Sequence, residues 1–104
     1  MKIIDAINTV ELLRGVQEDH AFLVQELQAL EGRIELEIHG KQEWIKTETL
    51  GVPAPYDRLY WLYLLYTVDM TRGDKERFER SSAAFKEALD AYAHHYRTRL
   101  AKGR

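Results

Sequence analysis

Groups able to do chemistry are few in this chain, and their spacing argues against catalysis. Four histidines occur, His20, His39, His94 and His95, with two serines, Ser81 and Ser82, and no cysteine. Glu35 and His39 stand one helical turn apart, as do Asp90 and His94, so each pair shares a helix face. A di-iron bundle needs Glu-x-x-His pairs and a zinc protease needs His-Glu-x-x-His; neither spacing occurs. The histidines therefore read as surface groups near helix ends, and no metal or other cofactor is expected. The serines fall inside a helical pattern, on or beside its packing face, without the Gly-x-Ser-x-Gly elbow of a nucleophile. The 6 glycines are scattered as helix stops and turns, not gathered into a phosphate-binding loop. No catalytic, cofactor-binding or metal-ligating residue is assigned, and the chain is expected not to be an enzyme. Arg72-Gly73-Asp74 spells an adhesion tripeptide, but a left-handed helix stop followed by an N-cap is sufficient reason for it.

The elements that would position any site are helices. The pattern predicts an all-α fold, a compact bundle of about four helices over 3–14, 18–39, 55–72 and 74–100, with one long loop at 40–54. Ile3, Ile7 and Val10, followed by Leu13 or Arg14, line the first helix, and Gly15 stops it. Leu23, Leu27, Leu30, Ile34 and Ile38 form a continuous stripe along the second. Gly32 inside that helix costs about 1 kcal/mol against alanine, which predicts close approach by another helix or a local break. The third helix is read as starting at Pro55, whose fixed φ and missing N–H suit a first helical position. In the fourth, Phe78, Ser82, Phe85, Leu89, Tyr92 and Tyr96 alternate spacings of 4 and 3, beside small residues Ser81, Ala84, Ala88 and Ala91. No internal repeat is visible.

Two segments could meet a partner. Leu59 to Tyr66 is apolar on every side for about two turns, so this helix is expected to be surrounded, either as the central post of the domain or with part of its girth covered by another subunit. Its aromatic residues read either as core with hydroxyls reaching the surface or as interface anchors. The loop at 40–54 carries Trp44, Ile45 and Leu50, groups able to dock, and a short hairpin is a possible form for it. The candidate interface is thus Trp44, Ile45, Leu50, Tyr56, Tyr60, Trp61 and Tyr63.

Composition bounds the remaining choices. A chain of 104 residues with 45% hydrophobic and 31% charged residues is one soluble helical domain. Its longest apolar run falls far short of the roughly 20 residues that span a bilayer, so no membrane is expected and the product reads as cytosolic. The net charge of −2 is divided unevenly, −5 over residues 1–52 and +3 over 53–104. Cations near the end of the last helix complement its dipole; alternatively, acidic and basic halves meet between copies. No stripe is basic enough for sequence-specific nucleic-acid binding.

Val52-Pro-Ala-Pro-Tyr-Asp57, Tyr60 and Trp61, Gly73, then Phe78, Ser81-Ser82, Phe85 and the Tyr92–Arg97 ending resemble the small head–tail connector proteins of tailed phages and prophages. Leu27-Gln-Ala-Leu-Glu-Gly-Arg-Ile-Glu-Leu-Glu-Ile38 is similar to the same family's second-helix segment. The resemblance covers about residues 27–39 and 52–97; Lys41 to Leu50 shows no family pattern. It implies an α-helical structural protein, a neck adaptor that forms a ring with itself, typically of twelve copies. Such a ring sits beneath the portal protein, extends the channel through which DNA passes non-specifically, and offers a docking surface to downstream neck or tail proteins. The expected location is the virion, with assembly in the cytoplasm of a bacterial host. A tetratricopeptide-like interaction module is the alternative, suggested by Gly73, Phe85, Ala88 and Leu89, although only one candidate unit is present.

Overall fold

The computed structural model describes residues 1–15 and 19–102. Helix α1 spans Ile3–Arg14, α2 His20–Arg33, α3 Arg58–Arg72 and α4 Lys75–Lys102. A π-helical turn, Ile34–Ile38, extends α2, and no strand occurs among the described residues. The expected all-α bundle with a long connection between the second and third helices is what forms.

Helix starts and stops follow backbone chemistry. Gly15, Gly40 and Gly73 all take φ near 70°, the left-handed region that side chains disfavour, and each ends a helix. Asp19 caps α2 by accepting the Ala21 N–H at 3.0 Å, and Asp74 caps α4 by accepting the Arg77 N–H at 3.1 Å. Glu18, the other expected start for the second helix, lies outside the described residues. The third helix begins three residues later than Pro55. Residues 53–57 form tight turns instead, closed by the Tyr56 N–H to the Pro53 carbonyl at 2.9 Å, and the first helical residue is Arg58. The fourth helix runs two residues past its expected end.

The core is built on α3. Leu59, Tyr60, Leu64, Leu65 and Val68 are buried, and no residue from Leu59 to Asp69 is exposed. Helices α1, α2 and α4 of its own chain pack around it, and Trp61, Leu62, Tyr63 and Tyr66 remain only half-buried. From α1 come Ile3, Ala6, Ile7 and Val10; from α2 and its π turn, Leu23, Leu27, Leu30 and Ile34. Leu13 is 50% exposed while Arg14 turns inward, which settles the end of the α1 stripe. From α4, Phe85 packs on Tyr63 with centroids 5.0 Å apart, and Phe78 stacks on Tyr66 at 5.3 Å. Ser81 and Ala88 are buried, as expected of a small-residue strip, but Ala91 is exposed and ends it.

Arg14 meets Asp69 of α3 in a two-pronged pair, Nε to Oδ1 at 2.9 Å and an Nη to Oδ2 at 2.8 Å. The Ser81 hydroxyl of α4 donates to the same carboxylate at 2.8 Å. One buried acid thereby ties three helices together.

Candidate functional site

Residues 40–57 form a strap over the end of α2. Its far half is pinned to the start of the chain. The Ile3 N–H donates to the Glu48 carbonyl at 3.0 Å and the Leu50 N–H to the Met1 carbonyl at 2.9 Å, a single antiparallel bridge rather than a hairpin. Leu50 and Val52 then enter the core.

Beneath the strap lies a polar clasp. Backbone N–H groups drawn into the interior need acceptors, and Glu31 provides one. Its carboxylate accepts the Gly51 N–H at 2.7 Å and the Tyr60 hydroxyl at 3.0 Å. The Tyr60 oxygen in turn accepts the Val52 N–H at 2.9 Å. Burial raises the Glu31 pKa and outweighs the Gly51 and Tyr60 bonds that favour its charge. Burial likewise pushes the Tyr60 hydroxyl well above the usual phenol range, with the Glu31 charge adding to it.

Glu35, one turn on, behaves in the opposite way. Burial works to raise its pKa, but Lys41 and His39 together hold it below the usual carboxylate range. The Lys41 ammonium lies 2.5 Å from Glu35 Oε2, and His39 Nδ1 lies 2.9 Å from Oε1. A carboxylate only accepts, so Nδ1 carries a proton, and in the neutral ring Nε2 accepts from the Tyr92 hydroxyl 2.5 Å away. Burial pushes the Tyr92 hydroxyl up to about 12. Gly51 lets the strap pass close to this acid: a Cβ there would stand 2.9 Å from Glu35 Oε1, so the carboxylate would have to shift.

This arrangement holds a loop. Both nitrogens of His39 are engaged within the protein, and no group of three or more His, Asp or Glu side chains able to hold a metal occurs among the described residues. The expectation of a surface His39 is corrected: its side chain is only 11% exposed, because the π turn rotates it inward beneath α4. His94 is exposed, His95 stacks on Tyr56 with centroids 4.6 Å apart, and His20 pairs with Glu11.

The candidate interface residues separate into three groups. Tyr60 and Leu50 are buried and serve the clasp and the core, so neither presents a surface. Tyr56, Trp61 and Tyr63 are half-buried, Tyr56 against Tyr92 and His95, Tyr63 donating to Glu26 at 2.9 Å. Trp44 and Ile45 sit on the strap. The Trp44 ring covers Gly32, with Cε3 3.0 Å from where a Cβ would be, so the close approach expected at Gly32 comes from the loop and not from a helix. Ile45 is 82% exposed.

Two concavities flank the strap. One, about 490 Å³, lies between the strap base and the end of α4, lined by His39, Pro53, Tyr92, Tyr96, Arg99 and Leu100. The other, about 510 Å³, lies under the strap tip among Glu31, Glu35, Lys41 and Trp44. No described helix is long and apolar enough to cross a membrane.

Sequence reasoning placed Glu35 and His39 on one helix face but missed Glu31 and the burial of the Glu35–His39 pair. The signal was available: these three recur every four residues alongside Leu27, Leu30, Ile34 and Ile38, at the border of the apolar stripe. A core tyrosine such as Tyr60 also demands a buried partner for its hydroxyl. No protein-family model matches the chain, and neither the curated proteins nor the solved structures gave a match.

Proposed function

We propose that this chain is a non-catalytic structural subunit of tailed-phage virions, a head–tail connector made in the bacterial cytoplasm. As a ring it docks on the portal, surrounds the path of the DNA without gripping it, and receives a neck or tail protein. The observation that carries this reading is the strap: its base is clasped by Glu31 and Tyr60 and its tip presents Ile45 to solvent. A loop so firmly anchored yet apolar at its end is suited to contact with another protein. The Val52–Asp57 segment that resembles connectors forms the exit of this same strap. Exposed apolar side chains such as Ile45 on the strap and Leu12 on α1, at 82% and 84%, are free to meet partners.

The test is Ile45→Asp in the phage or prophage that carries the gene. The substitution touches no core residue, so the protein should fold normally while particles accumulate as DNA-filled heads lacking tails. Normal tail attachment would overturn the proposal.

A further inference from the structure

We propose that the cleft between the strap base and the end of α4 receives the Ile45 tip of a second copy of this chain, in a head-to-tail contact. The cleft exists because α4 outruns its partner. Helix α3 has 15 residues and α4 has 28, lengths of about 22 and 42 Å at 1.5 Å per residue. Tyr56, just before α3, already lies beside Tyr92 and His95, so the turns from Tyr96 onward extend beyond α3. Those turns touch the body through Tyr96 on His39, with centroids 4.6 Å apart. Leu100 is left 50% exposed over an aromatic floor.

The tip matches this cleft in chemistry. Ile45 is an apolar knob, and Lys41, at the start of the strap, is already paired with Glu35. The charges left on the tip, Glu43, Lys46 and Glu48, amount to −1, whereas the exposed end of α4 presents Arg97 and Arg99. Tip and cleft are different surfaces of one chain, so the contact is heterologous and each bound copy still offers the other surface. This head-to-tail contact rests on the connector reading and deepens it, since contacts of this kind close into rings where the rotation between copies permits. A tip of nine residues covers less than the roughly 1,200 Å² of a stable interface, so single contacts are weak and must be trapped covalently.

The absence of cysteine makes the trap clean. Ile45→Cys and Leu100→Cys chains, one of them isotopically heavy, are mixed at high concentration under oxidising conditions and analysed by mass spectrometry. The mixed disulfide dimer should exceed either homodimer several-fold, and adding Arg99→Glu to the Leu100→Cys chain should lower its yield several-fold. A chain carrying both cysteines should give a ladder of linked oligomers. Homodimers in equal or greater yield, no dimer, or a doubly substituted chain that closes on itself would each overturn the contact. This readout uses purified protein alone, so its failure is distinct from failure of the virion role, which tail attachment reports.

Discussion

At the scale of the residue, stability rests on how buried charges are answered. Asp69 is 1% exposed, and burial works to raise its pKa, but Arg14 and Ser81 outweigh burial and hold it below the usual carboxylate range. A carboxyl with a lower pKa folded than unfolded adds stability above the unfolded value and loses it as pH falls through the folded one. Asp69 and Glu35 thus weaken the fold on acidification below about pH 4. Glu31, raised by burial, acts in the reverse sense, its contribution growing as pH falls from its raised value. Replacing Arg14 by Met strands the Asp69 charge and should cost about 3 kcal/mol at pH 7. The orphaned acid then takes up a proton more readily, so the gap between variant and wild type should narrow by pH 4 to 5, read by urea unfolding at each pH. A gap independent of pH would show that Arg14 acts through packing alone. This pair was only half legible in the sequence. Periodicity left Leu13 and Arg14 as equal candidates for the inner position, because a single-chain pattern cannot reveal an acid waiting 55 residues away.

At the scale of the element, helix identity was readable and helix ends less so. Glycine stops and the Asp74 cap are local events, decided by φ and by one hydrogen bond, and they stand where the residues put them. The start of α3 is different: Pro55 permits a helix but does not require one, and turns that bring Val52 to Tyr60 prevail until Arg58. The length of α4 carries a dynamic consequence. Its middle packs against α3, while residues 97–101 are all exposed. Local opening follows buried contact, so amide exchange in 97–102 should be at least tenfold faster than in 81–93. Mass-resolved hydrogen exchange checks this, and uniform protection along the helix would contradict the overhang.

At the scale of the whole molecule, the chain is a long object, 46 × 27 × 20 Å, organised around one helix. The all-round apolar character of Leu59–Tyr66 announced a central element, and α1, α2 and α4 do pack around it, while Trp61, Leu62, Tyr63 and Tyr66 stay half-buried and leave part of its girth uncovered by its own chain. What the sequence could not announce was the route of the strap, since its anchors are backbone N–H groups and a hydroxyl, invisible to hydropathy. The π turn bears on that route through simple counting. A helix with one wide turn holds one residue more than an α-helix of the same span, and everything downstream is indexed to that surplus. Inserting one alanine after Leu36, itself 46% exposed, adds a residue beyond the one the wide turn already absorbs and should swing His39 by about 100° away from Tyr92. The core would survive, yet the strap would lose its latch, and trypsin should then cut after Lys41 and Lys46 well before it cuts elsewhere. In a chain built this way, the number of residues between two anchors is as consequential as their identity, and a single-codon insertion at a solvent-facing position becomes a means of unlatching the loop.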